Sequence, residues 1–202
     1  MRGATRSRIL GEARELFVAH GAKGVSMRGV AARAGITPMA IYRHFPGREA
    51  LLESVVRQGH DRFLTYLQAA MAAPTPQARL VRSGAQYLRF ALEHPRDYGV
   101  LFLEAVDASA KAPRWQDAAT FRFLVDRVRE CADAGVLAVD DPEDVALSIW
   151  AHIHGLVSLH LARKLPPDQR AFRRLCARSL GQLMRAFAGP RLRPIDEKAF
   201  DD

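Results

Sequence analysis

Cysteine is almost missing from this chain, with only Cys131 and Cys176 present and far apart. That rules out a disulfide framework and any cysteine-based metal spacing, and leads us to expect a reducing, intracellular setting. Lysine is scarce too, four against 26 arginines; a G+C-rich genome produces that bias as readily as function does. No run approaches the roughly 18 consecutive apolar residues of a membrane span, and the N-terminus lacks the apolar core of a signal peptide. The expectation is a cytoplasmic protein with no membrane partner. The alternating pattern of a half-buried strand is absent, as are a Gly-x-Ser-x-Gly elbow, a phosphate loop and His-Glu-x-x-His. His152, His154 and His160 stand two, six and eight residues apart, so no pair has the i, i+4 separation that lets two imidazoles share a metal from one helix face. No catalytic residues, metal or cofactor are therefore expected, and the chain is not read as an enzyme.

What is present is apolar material and unevenly placed charge. The 202 residues are 49% hydrophobic and 26% charged with a net charge of +8, enough for one or two compact domains. Residues 1–50 hold nine basic side chains against Glu12, Glu15 and Glu49, a net of +6, which leaves +2 for the other 152 residues. A basic head on a nearly neutral body suits a polyanion, because phosphate neutralisation with counterion release supplies most non-specific nucleic-acid affinity. A merely soluble basic surface is the plainer alternative.

Apolar spacing of the helical kind runs through nearly the whole chain, about nine helices in all. The first spans about Arg6 to His20, with Ile9, Leu10, Ala13, Leu16 and Phe17 on one face and Gly21 behind it. The second runs from a cap at Ser26 to Ala34, and Gly35 follows where a helix commonly ends in the left-handed conformation. Thr37 can cap a third, to about Phe45, with Pro38 at its first position, where the missing N–H costs nothing. A fourth opens at "PGREALLESVV" and continues to about Met71; a fifth covers about Gln77 to Glu93; a short sixth holds Tyr98, Leu101 and Phe102; a seventh runs from about Arg114 to Ala134. The eighth starts at "DDPEDV", where acids favour the positive end of the helix dipole, and reaches about Lys164. The ninth carries Phe172, Leu175, Cys176, Ser179, Leu180, Leu183, Met184 and Phe187 on one face, and residues 189–202 read as a mobile tail. Between the second and third helices, small Ala31 and Gly35 with Ile41 have helix-turn-helix spacing. A helical hairpin without a partner has that spacing as well.

The stretch "SMRGVAARAGITPMAIYRHFPGREALLESV", residues 26–55, closely resembles the DNA-binding segment of the tetracycline-repressor (TetR-type) regulators, with its Tyr-x-His-Phe end and a basic residue before Glu-Ala-Leu. Beyond the first 50 or so residues the likeness is in length and helical layout, with "WAHIHGL", 150–156, similar to the Trp-His-Gly signature of one subgroup's C-terminal domain. The resemblance implies an all-α fold with a helix-turn-helix domain over 1–47 and a ligand-binding and dimerisation domain over 48–188. It also implies roles. Ser26, Met27 and Arg28, at the start of the second helix, would contribute DNA contacts; Thr37, Pro38, Met39 and Ala40 would face base edges; Tyr42 and His44 would reach phosphates, with Arg43 beside them, and Arg48 would hold a phosphate at the start of the fourth helix. Arg28 is able to fork onto a guanine. Pro38, Met39 and Ala40 offer a surface to thymine methyls and almost no hydrogen bonds to bases, which departs from members with Gln, Lys or Thr there and gives weight to shape readout.

A protein with one helix-turn-helix normally pairs with a copy of itself to read two half-sites. Ser148, Ala151, Gly155, Ser158 and Ala162 form a small-residue stripe on the eighth helix, and with Phe172 and Cys176 on the ninth they are the expected dimer surface, half of a four-helix bundle. Both helices filling only their own subunit's core is the competing reading. For a small-molecule effector the candidates are Phe63, Tyr66, Tyr87, Phe102, Glu104, Phe121, Trp150 and His154, since a pocket sets a few polar groups in an apolar wall; His154 reads equally well as a core histidine bonded to a carbonyl. The expected function is a homodimeric, ligand-responsive transcription regulator, a repressor released from a near-palindromic DNA operator by a small, largely apolar molecule. A small-molecule-binding bundle without DNA function, or a helical enzyme, are the alternatives.

Overall fold

The computed structural model describes residues 2–103 and 118–201. Its α-helices are α1 (Arg2–His20), α2 (Met27–Arg33), α3 (Pro38–Ile41), α4 (Arg48–Gln68), α5 (Pro76–Glu93), α6 (Pro95–Phe102), α7 (Ala119–Asp133), α8 (Pro142–Leu161) and α9 (Gln169–Ala186). Among the described residues the β-structure is one isolated bridge, Leu137 with Ala188. The helices divide into two compact units.

The first unit holds α1, α2, α3, α4 as far as Arg62, and α6. Its core gathers Ile9, Ala13 and Phe17 of α1, Val30 and Ala31 of α2, Ile41 and Phe45 at the end of α3, Leu51 and Val55 of α4, and Val100 of α6. Ile9, Ala13, Phe17, Val30, Ala31 and Ile41 have no exposed surface. Gly21 ends α1 and Gly35 ends the turn after α2, at φ 66° and 62°, a region that glycine enters without the Cβ penalty. The compact unit extends beyond residue 47, because α6 returns to it. α1 begins at Arg2, earlier than the sequence spacing suggests, and α3 closes at Ile41, with Tyr42–His44 continuing as a turn.

Asp97 on α6 ties this unit together. Its carboxylate accepts Nε and Nη2 of Arg14 on α1 at 2.9 and 2.6 Å and Nη1 of Arg62 on α4 at 3.2 Å, while His94 Nδ1 stands 3.9 Å away. A buried carboxylate is tolerable on these terms, because the paired guanidinium compensates the lost hydration. In the sequence, residues 94–97, "HPRD", read only as the gap between the fifth and sixth helices. A buried acid paired with arginines distant in the chain leaves no local signal.

The second unit holds the end of α4 with α5, α7, α8, α9 and the C-terminal residues. Asp141 caps α8 by accepting from Glu143 N at 2.8 Å, and Asp168 caps α9 by accepting from Ala171 N at 2.7 Å. The start expected for the seventh helix, near Arg114, lies outside the described residues; α7 begins at Ala119. Cys131 and Cys176 are fully buried, and burial pushes both thiols up to about 12, so neither is a ready nucleophile.

The expected mobile tail is docked instead. Gly189 N donates to Val136 O at 2.9 Å and Arg191 N to Gly135 O at 3.0 Å. The Gln77 side chain pairs with the Arg193 backbone in both directions, and Arg173 Nη1 donates to Phe200 O. Phe200 is 1% exposed, and burying such a ring is worth about 1.5–3 kcal/mol, enough to hold a short strap. Gly189 is required where it stands, since a Cβ there would meet Gly135 O at 2.5 Å.

Candidate nucleic-acid interface

The helix-turn-helix is set by two caps. Ser26 Oγ accepts from Gly29 N at 3.1 Å and Thr37 Oγ1 accepts from Ala40 N at 3.2 Å, so both short helices start on a fixed amide. With Pro38 at its first position and Ile41 buried beneath it, α3 projects its other side chains outward. Met39 is 79% exposed and Tyr42 51%, the two most exposed large apolar side chains of the described residues. Pro38, Arg28 and Arg43 are exposed, while Ala40 and His44 are half-buried.

Two of the expected DNA contacts have other tasks. Met27 is 9% exposed and packs in the core with Val30 and Ala31, one helical face at i, i+3, i+4; the outward residue at the start of α2 is Arg28. Arg48 sends Nε to Val25 O at 2.8 Å and Nη2 to Ala22 O at 2.5 Å. Its guanidinium braces the turn before α2, which leaves Nη1, 3.9 Å from Glu49, as the outward group. Two other cations of the head are also occupied, Arg33 by Glu12 at 2.7 Å and Arg6 over the Phe45 ring at 4.7 Å.

Among the effector candidates, five form a connected string in the second unit. Phe63 meets Tyr87 edge-on with centroids 5.3 Å apart, Tyr87 Oη lies 3.3 Å from His154 Nδ1, His154 neighbours Trp150, and Trp150 neighbours Phe121 at 6.0 Å. Burial lowers the His154 pKa, so a neutral imidazole is favoured. Tyr66 joins through Phe90, and its hydroxyl donates to Glu93 at 2.7 Å. Phe102 belongs to the first unit, where it packs on Tyr98 and His60; Glu104 lies outside the described residues.

Of the expected dimer residues, Ser148, Ala151 and Ala162 are exposed on α8, and Gly155 and Ser158 are half-exposed. Leu147 and Leu159 add 37% and 47% exposure to the same helix. Phe172 and Cys176 do not belong to this surface. Both are fully buried, and Phe172 stacks on His160 with centroids 3.9 Å apart. The inward face of α9 holds it to α8, helped by the 2.9 Å contact between His152 Nε2 and Ser179 Oγ.

Residues 9–55 match the family model for bacterial regulatory proteins of the tetR family, and residues 80–183, just over half of the chain, match that for the tetracyclin repressor-like C-terminal domain. The chain belongs to the TetR family. The HTH-type transcriptional regulator RutR of Escherichia coli strain K12 is 30% identical over 155 residues, 73% of this chain and 71% of RutR. A solved protein of unknown function from Rhodococcus sp. RHA1 is 26% identical with a TM-score of 0.77, covering 91% of this chain and 95% of that one. RolR, solved in complex with resorcinol, shares the fold at 17% identity and a TM-score of 0.60 over 99% of this chain and 93% of its own. As a TetR-family member this chain is a DNA-binding transcriptional regulator and not an enzyme. Among the described residues no helix is long and apolar enough to cross a membrane, and no His, Cys, Asp and Glu side chains group to hold a metal.

Proposed function

We propose that this TetR-family chain works in the cytoplasm as a homodimeric repressor, released from a near-palindromic operator by a small, largely apolar effector. The observation that carries the reading is the capped, outward α3 with bare Met39 and Tyr42 on a head of net charge +6. The head over residues 1–47 takes the DNA, and the body over 48–188 takes effector and partner. Arg28 and the α3 tip contact bases; Ser26 and Thr37, the latter expected at base edges, are held as the caps of the two helices, and Tyr42, Arg43 and His44 contact backbone.

The partner is a second copy, seated on the α8 stripe. Leu147, Ser148, Ala151, Gly155, Leu159 and Ala162 leave one side of α8 apolar and low, and a Cβ at Gly155 would meet no atom within 4 Å. Two such helices with their α9 neighbours form a four-helix bundle about a two-fold axis. The heads then read half-sites roughly 34–36 Å apart, or a multiple of that.

For the effector, the Phe63–Tyr87–His154–Trp150–Phe121 string supplies an aromatic wall with one hydroxyl–imidazole pair, suited to a ring bearing a hydrogen-bonding group; RolR's resorcinol is of that kind. Moving the population from 99:1 binding-competent to 1:99 takes about 5.5 kcal/mol of differential affinity, which calls for an enclosed ligand. The test is selection of duplex DNA with the purified chain, followed by a ligand screen for release. Selective, salt-sensitive duplex binding reversed by a small aromatic molecule supports the reading. A chain that binds such molecules yet shows no duplex preference at low salt contradicts it.

A further inference from the structure

The exposed groups of α3 restrict which base feature this head can read. Between its cap and its buried end, α3 presents Pro38, Met39 and Ala40, none of which carries a side-chain donor or an oxygen or nitrogen acceptor. Thr37 is the nearest hydroxyl, and the bond it accepts from Ala40 N holds it at the cap, before the exposed tip. In the major groove, the one apolar feature on a base edge is the C5 methyl of thymine. Met39 is the long, flexible member of the three and is 79% exposed, while most large apolar side chains of the head make the core.

We infer that Met39 is a specificity-determining residue that reads a thymine methyl in each half-site. The inference rests on the DNA-binding role proposed above, and it goes further by naming the base and the atom recognised. A hydrogen-bonding α3 would discriminate adenine or guanine through edge atoms that uracil and thymine lack alike. An apolar tip is sensitive to one methyl group and to nothing else on that edge. Arg28, at the start of α2, is left as the group that forks onto guanine, so the two helices read different bases by different chemistry.

The experiment uses the full chain and the duplex it enriches from a randomised library. Each thymine of that duplex is replaced singly, symmetrically in both half-sites, by deoxyuridine, which removes the methyl and keeps every hydrogen-bonding group. For the native chain, one symmetric pair of positions should lose affinity by about fourfold per methyl, the equivalent of one buried methylene at 1.36 kcal/mol per decade. Met39→Ala should bind the thymine and deoxyuridine duplexes alike, whereas Met39→Leu should keep the difference; both substitutions are at an exposed position and leave the core intact. Equal losses in the native chain and Met39→Ala at every position, or no loss anywhere in a duplex that binds selectively, overturn this inference and leave the regulator reading standing. Failure to enrich any duplex overturns both.

Discussion

Replacing Arg48 by alanine separates a brace from a phosphate contact. In the structure two of its donors are committed to Val25 O and Ala22 O, the carbonyls of the turn that leads into α2. Hydrogen bonds to a charged group are worth about 1.5–3 kcal/mol each, and the side chain is about one-third exposed, so water recovers part of the loss when it is removed. We therefore expect Arg48→Ala to cost about 2 kcal/mol, near a thirtyfold change in the folding equilibrium. Urea unfolding at fixed protein concentration should show it as a lower midpoint with an unchanged m-value. The slope of log K against log salt for a selected duplex should stay as in the native chain, since a lost phosphate contact would reduce it by about 0.9. An unchanged midpoint with a slope reduced by that amount would refute the bracing role and restore the phosphate role.

Three further outcomes follow from the same structure. Asp97→Ala should lower stability by about 2–3 kcal/mol in urea, less than the full cost of breaking a buried pair because Arg14 and Arg62 keep some water; the double variant Arg14→Ala/Asp97→Ala should lose clearly less than the two single losses added. Phe200→Ala should cost about 3 kcal/mol, the low end for a buried ring, and Gly189→Ala should expose the residues after it to limited proteolysis, whereas a mobile tail would leave both variants like the native chain. Cys131 and Cys176, buried with thiols raised to about 12, should resist a maleimide in the folded chain and react once urea unfolds it; rapid labelling of the native form would contradict their burial.

The helix-turn-helix was legible because its signals are local. Ser26, Gly35, Thr37 and Pro38 act within three residues of their own position, through a cap, a left-handed turn and a fixed φ. The helical period also carried the α8 stripe, and it held the correction for Met27, which shares a face with Val30 and Ala31 while Arg28 does not. For Arg48 the sequence shows a cation at a helix start, and its use depends on two carbonyls more than twenty residues away. Asp97 depends likewise on arginines of α1 and α4. Phe200 is a single aromatic with no periodic neighbours, so nothing near it announces the docking against α5 and α9. Phe172 and Cys176 share the apolar face of α9, and the helical period does not distinguish a face taken by the chain's own core from one left for a partner; here the core takes it.

Binding of the native chain to its selected duplex across a salt series, with the mass of the complex measured alongside, is the decisive experiment. A dimeric regulator with a basic head should place two protomers on each duplex and lose affinity steeply as salt rises. A monomer on the duplex, or an affinity indifferent to both salt and sequence, would contradict that reading.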